Sequence, residues 1–339
     1  MTVRIAVVGA GIMGTDHARI IAEDLTDAKL QIVCDALEAR ARTLADAYGA
    51  DAFADAKSVI KRSDVDAVLI ASTDETHAEL TIAAIAAGKP VLCEKPLAPT
   101  ALECLQVIAA EKKLGQPLVQ LGFMRRFDKS YNAMREAREN GEMGRPLMMH
   151  NFHRNVVSPG NWFTSDMAIT NSASHEFDIS RFVLGSEHTS IFVSKPRRSD
   201  DHAAPVLMVL ETSDGQLVSV EVNNNAAYGY DVRGELVCEK GSVQLINPAD
   251  ARYDIDLRSA ETYPEDWRPR FAEAYRLQNK DWIKAIKAGR PSKTAATSWD
   301  GYAAALVGEA GVRSLREDRK IAVIMEEEPA LYRLSKEAA

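Results

Sequence analysis

Several things are scarce in this chain of 339 residues. Aromatic residues make up only 6%, cysteine occurs four times, and no apolar run approaches the roughly 20 residues of a membrane span. Basic residues number 41 against 49 acidic ones, a net charge of −8, so the basic face that nucleic acid demands is not implied. The cysteines Cys34, Cys93, Cys104 and Cys238 are 59, 11 and 134 positions apart, and none of those gaps matches a zinc or redox pair. Three of them sit among apolar, strand-like neighbours, which suits reduced thiols in a cytoplasm. The opening run Val3-Arg4-Ile5-Ala6-Val7-Val8 lacks a basic leader and a cleavage site, so a cytoplasmic protein is expected. No repeat and no low-complexity segment interrupts the chain. An apolar fraction of 46% with 27% charged residues is an ordinary globular mixture, and the length suits two domains.

What is present falls into two rhythms. Arg4–Val8, Leu30–Cys34, Val65–Ala71, Val91–Cys93 and Leu118–Leu121 are compact apolar runs, as expected of strands covered on both faces of a parallel sheet. Helical patterns separate them, such as Glu75 to Ala87, stopped by Gly88-Lys89-Pro90. This alternation predicts an α/β Rossmann domain over residues 1–122. Beyond it, a charged helix from Lys129 to Asn140 leads into strands without long helices between them: Leu147–His153, Ser190–Val193, Val206–Thr212, Leu217–Val222, Leu236–Cys238 and Ser242–Ile246. Thr212-Ser213-Asp214-Gly215 and Glu239-Lys240-Gly241 read as hairpin turns. Helical patterns return at Ser174–Leu184, Phe271–Ala288 and Ser298–Arg316. Residues 123–339 are therefore expected to form an α+β domain for substrate binding and oligomerisation. Its sheet would be mostly antiparallel and open on one face, with the option that the last helices return to the first domain.

Three clusters carry chemistry. Gly9-Ala10-Gly11-Ile12-Met13-Gly14 is a G-x-G-x-x-G between a strand and a helical pattern, with Asp35 at the end of the second strand, 21 residues after Gly14. Gly9 permits a tight turn, Gly11 lets backbone approach a pyrophosphate, and Gly14 lets the helix pack closely; the helix N-terminus supplies amide donors. Three glycines in an ordinary turn would not need that context. A carboxylate at Asp35 accepts from ribose hydroxyls and repels a 2′-phosphate, which favours NAD; Arg40 and Arg42 keep NADP as the lesser alternative.

Cys93-Glu94-Lys95-Pro96 ends the fifth strand, where ligands of open α/β sheets bind, so Lys95 is directed at the cofactor rather than being one more solvated lysine. The third cluster is Asn171-Ser172-Ala173-Ser174-His175-Glu176-Phe177-Asp178. If helical, it sets Asn171, His175 and Asp178 on one face, as for a general base beside its orienting group. A plain core histidine is the competing reading. No metal is expected: His150 and His153, three apart in a strand, point to opposite faces.

These residues, in this order, resemble the glucose–fructose oxidoreductase / inositol dehydrogenase family, and within it the bacterial myo-inositol 2-dehydrogenases. The resemblance spans nearly the whole chain through Glu94-Lys95-Pro96, Gly122-Phe123-Met124-Arg125-Arg126-Phe127-Asp128, His153-Arg154-Asn155, His175-Glu176-Phe177-Asp178, Tyr228-Gly229-Tyr230-Asp231 and Trp299-Asp300-Gly301-Tyr302. It implies Lys95 on the reacting oxygen and His175 as base. Arg125, His153, Asn155 and Tyr230 would line a polyol pocket, with Trp267 and Asp178 near it. Ser72, Thr73, His77 and Glu94 would lie along the nicotinamide half of NAD. It further implies a homotetramer that pairs open sheet faces. One position departs: where the family has a catalytic Asp four residues before the histidine, this chain has Asn171, which keeps the shape but loses the charge.

The resulting expectation is NAD-dependent oxidation of a cyclic polyol, myo-inositol foremost. The rivals are a dehydrogenase for another inositol isomer or a sugar, and an NAD-binding sensor silenced by Asn171. No nucleic-acid or membrane partner is expected.

Overall fold

The computed structural model describes residues 2–199, 202–246 and 252–337, which divide into two compact units. The first comprises residues 1–127, 274–305 and 326–339; the second comprises 128–273 and 306–325.

In the first unit, β1 (Val3–Val8), β2 (Ala28–Cys34), β3 (Asp51–Phe53), β4 (Ala67–Ile70), β5 (Val91–Cys93) and β6 (Val119–Leu121) form a six-stranded sheet. Its order is β3-β2-β1-β4-β5-β6, and all pairs are parallel. The reversal of order falls between β1 and β4, the position at which doubly wound sheets open a crevice at their carboxyl ends. β4 and β5 are buried along their whole lengths, which explains why they read as unbroken apolar runs. The helices α1 (Ile12–Arg19), α2 (Glu38–Tyr48), α3 (Ala56–Ile60), α4 (Asp74–Ala86) and α5 (Ala101–Leu114) make the crossovers. A capping box starts α5: Thr100 and Glu103 satisfy each other's backbone amides. Later residues join this unit through polar contacts. Arg126 pairs with Asp300 at 2.9 Å, and Tyr332 donates to the buried Glu111 at 2.7 Å.

The second unit holds a seven-stranded sheet of β7 (Pro146–Arg154), β8 (His188–Ser194), β9 (Val206–Thr212), β10 (Leu217–Asn223), β11 (Asp231–Cys238), β12 (Gly241–Gln244) and, at the far edge, residues 321–322. The order is β12-β11-β7-β10-β9-β8-edge, and every pair is antiparallel except β7 with β10. Helix Ser174–Leu184 and residues 306–317 cover the face that carries Met149, His153, Ile191 and Val193. Gly311 lets the helix come close, since a Cβ there would lie 2.8 Å from Ile169 and 3.2 Å from Ile191. On the opposite face Phe192, Leu207, Val209 and Leu217 are exposed. A separate hairpin, Arg252–Ile255 with Arg258–Glu261, stands outside this sheet and was not foreseen.

The two units thus have the α/β Rossmann and mostly antiparallel α+β architectures expected, and most element limits agree within a few residues. One detail of the third cluster differs. Residues Ala168–Ser172 form a π-helical turn, and the α-helix begins only at Ser174. His175 and Asp178 share that helix, whereas Asn171 belongs to the wider turn before it, so a single helical face through all three does not form. The Ser174 hydroxyl donates to the Asn171 carbonyl at 2.7 Å, a bond that competes with the regular ladder where the two windings meet.

Candidate active site

The glycines of the first cluster are distinguished by their surroundings. Gly9 has φ +99°, and a Cβ there would sit 2.3 Å from the Ala71 carbonyl oxygen. A Cβ on Gly14 would lie 1.8 Å from the Gly9 oxygen, so the start of α1 can cross β1 only if that residue is glycine. Around Gly11 nothing lies within 4 Å of the added carbon. That open space adjoins exposed Ile12 and half-buried Met13 in the first turn of α1, whose amides find no acceptor inside a helix. Such a helix start, with open space beside it, is the kind of place where a phosphate accepts from backbone amides.

Asp35 follows β2. Its Oδ2 accepts from the Ala10 amide at 2.8 Å and its Oδ1 from the Leu37 amide at 2.8 Å. The carboxylate is therefore oriented by backbone while each oxygen keeps acceptor capacity for a hydroxyl.

After β4 and β5 come the residues expected along the nicotinamide half. The Ser72 hydroxyl meets that of Thr76 at 2.6 Å, and exposed Thr73 caps α4. Buried His77 turns Nδ1 to the Pro96 carbonyl at 2.7 Å and Nε2 to the Ser72 carbonyl at 3.2 Å. Burial disfavours a charge on this ring, but the neighbouring Cys93 sulfur and the Pro96 carbonyl outweigh it, and the imidazole pKa is pushed up to about 10. Glu94 is buried and accepts from His17 at 2.8 Å and from the Lys95 amide at 3.2 Å. Half-buried Lys95 precedes a cis peptide to Pro96. Arg125 lies in this unit too, in the 3₁₀ turn Met124–Phe127, 1% exposed.

In the second unit His153, His175, Tyr230 and Asn155 lie together. The His153 and His175 rings are 6.4 Å apart between centroids, and Tyr230 meets His153 edge-on at 6.1 Å. His153 Nδ1 faces Glu176 Oε2 at 3.1 Å, both side chains being buried, and its Nε2 faces the Asn155 amide nitrogen at 3.4 Å. These contacts assign the proton to Nδ1, donated to the carboxylate, with Nε2 as acceptor. Glu176 is fully buried and was not singled out beforehand, although it stands beside His175 in the sequence. The signal lay across the fold, in a strand histidine 23 positions away. Asp178 is buried on the helix of His175, Asn171 is half-buried, and half-buried Trp267 opens helix Trp267–Ala288.

A parallel sheet of this order, with a three-glycine turn after β1 and a carboxylate after β2, is the architecture of a dinucleotide-binding domain. The chain belongs to the GFO/IDH/MocA family. Residues 3–123 match the oxidoreductase family with an NAD-binding Rossmann fold, and residues 131–244 match the GFO/IDH/MocA C-terminal domain. It is 44% identical over 337 residues to inositol 2-dehydrogenase 2 of Saccharopolyspora erythraea, covering 98% of each chain. It is 40% identical to inositol 2-dehydrogenase of Klebsiella pneumoniae, covering 98% of this chain and all of that one. The crystal structure of myo-inositol dehydrogenase from Lactobacillus casei in complex with NAD(H) and myo-inositol superposes with a TM-score of 0.93 at 29% identity, over 98% of this chain and all of that one. The first unit is accordingly an NAD-binding domain. No described helix is long and apolar enough to cross a membrane.

Proposed function

We propose that this protein oxidises a cyclic polyol, myo-inositol foremost, to the ketone. The observation that carries the reading is the buried grouping of His175 and Tyr230 beside His153, whose Nδ1 faces the Glu176 carboxylate. Imidazole, phenol and carboxylate groups held together can donate to and accept from neutral hydroxyls, which favours a polyol over an apolar substrate. Two full-length relatives bear the name inositol 2-dehydrogenase, and the Lactobacillus casei structure holds myo-inositol, which supports the same substrate class.

His175 takes the proton of the reacting hydroxyl. Lys95 stabilises the oxygen as negative charge develops on it. Arg125, His153, Asn155 and Tyr230 hold the remaining hydroxyls, with Asp178 and Trp267 beside them. NAD, when bound, accepts the hydride from the ring carbon at nicotinamide C4. Asp35 holds the adenosine ribose, and its carboxylate repels a 2′-phosphate, which favours NAD over NADP. The test is NADH formation across myo-, scyllo- and chiro-inositol and glucose, each with NAD and with NADP. Turnover is expected with NAD and at least one inositol. Turnover confined to glucose, or a higher kcat/KM with NADP, would overturn the substrate or the cofactor assignment respectively.

We further propose that the chain assembles as a homotetramer in which open sheet faces pair. The exposed Phe192, Leu207, Val209 and Leu217 support that reading.

A further inference from the structure

The buried face of α1 carries a side chain that the reaction as described does not use. His17 has no exposed surface, and its Nε2 lies 2.8 Å from Glu94 Oε1. Its Nδ1 lies 2.9 Å from the side-chain nitrogen of Asn279, itself fully buried. That same Asn279 nitrogen is 3.0 Å from the Tyr275 carbonyl. A carbonyl only accepts, so the Tyr275 contact fixes which end of the amide is nitrogen, and that nitrogen must donate to His17 Nδ1. With Nδ1 occupied as an acceptor, the ring proton resides on Nε2 and is donated to Glu94.

Glu94 passes the constraint on. Its second oxygen accepts the amide of Lys95 at 3.2 Å, and its carboxyl group fills the space beside Gly122, where a Cβ would approach it to 2.9 Å. We infer that His17, locked by Asn279 as the Nε2–H tautomer, is the positioning residue that aims the Glu94 carboxylate and hence the Lys95 peptide. The helix whose first turn faces the pyrophosphate then also sets the lysine, so one rigid element aligns the cofactor's charge and the reacting oxygen's partner. A chain of two hydrogen bonds carries the constraint because Asn279, His17 and Glu94 are all buried, where such bonds are not exchanged for water.

The inference rests on Lys95 acting at the reacting oxygen, and its test is built so that the two ideas fail separately. Two substitutions separate a hydrogen-bonding role from the ring packing of His17 on Tyr275, an edge contact at 5.8 Å. His17→Gln keeps an N–H donor near the place of Nε2, and His17→Phe keeps the ring. We expect the Phe variant to lose roughly tenfold to a hundredfold in kcat, with the NADH dissociation constant changed by less than about threefold, and the Gln variant to recover most of the loss. In protein labelled with ¹⁵N-histidine, His17 of the parent should show a single Nε2–H tautomer. A Phe variant as active as the parent, a Gln variant as impaired as the Phe variant, or kcat and NADH affinity falling together would each overturn the proposal. So would an Nδ1–H tautomer in the parent, a readout that needs no turnover. An inactive parent protein whose His17 is the Nε2–H tautomer would instead count against the substrate reading.

Discussion

At the scale of single residues, Asn171 is the position where the family resemblance implies an aspartate. A carboxylate at that place would favour the protonated form of His175 and so assist removal of the substrate proton. Asn171→Asp should raise kcat by about one to two decades, corresponding to about 1 to 3 kcal/mol, and move the rising limb of the pH–rate profile to higher pH. Because Asn171 sits in a π turn and not on the helix of His175, this variant also asks whether the two side chains sense each other. An unshifted profile would answer no. Lys95 gives a sharper expectation. If its amine meets the oxygen only as charge develops, Lys95→Ala should reduce kcat on the order of a hundredfold while NADH binding holds. Steady-state rates beside a fluorescence titration with NADH make the comparison. Unchanged turnover would remove Lys95 from the chemistry.

The next scale is that of helices and strands, where a second buried histidine governs acid stability. His188 begins β8, and its Nε2 faces the Phe177 carbonyl at 3.3 Å and the Ser180 hydroxyl at 3.0 Å, tying the strand to helix Ser174–Leu184. Burial, with the Arg181 charge beside it, lowers its pKa from 6.5 to about 4. The unfolded chain therefore binds a proton near pH 6.5 that the folded chain refuses until about pH 4. Stability from this group is complete above pH 6.5 and falls as the pH drops to about 4, by about 3 kcal/mol in all. His188→Gln keeps a donor for Phe177 but cannot titrate. Urea unfolding at about pH 7 and about pH 4.5 should show a smaller acid loss in the variant than in the parent, whatever its absolute stability. Equal losses would show that His188 does not carry the dependence.

Legibility follows the same physics. The strands of the first sheet were readable because burial on both faces makes them continuous apolar runs, and Ser174–Leu184 because Gly185 stops it in a left-handed conformation. The hairpin at 252–261 was missed because its turn puts Asp256 and Leu257 at φ 48° and 60°, where an Asn-Gly signal would be expected, and its strands are exposed throughout. The glycine loop announced itself through spacing. Glu176 and His17 did not, because their partners lie 23 and 77 positions away and no local pattern encodes such pairs.

For the whole molecule, the uncovered face of the second unit's sheet bears on the assembly proposed above. Phe192 is in register with Val209 and Leu207 with Glu221, while Met148 and Phe152 lie half-buried on the same side. Water is a poor neighbour for such a surface, and paired sheets pack about 10 Å apart with interdigitating side chains. A twofold pairing presents the same patch from both copies, so each apolar side chain meets another without any new complementarity. Stable interfaces bury about 1,600 Å² in total, an area a seven-stranded face can supply. This pairing joins two chains, and for the homotetramer proposed above light scattering at micromolar concentration should report four times the 37.2 kDa of one chain. Replacing Leu207 and Val209 together by Glu plants charges at the centre of the patch, and the variant should dissociate into smaller species while its circular dichroism spectrum is kept. If the parent chain ran only at 37.2 kDa, the assembly proposal would fail. If the double variant stayed tetrameric, the interface would lie elsewhere than on this sheet.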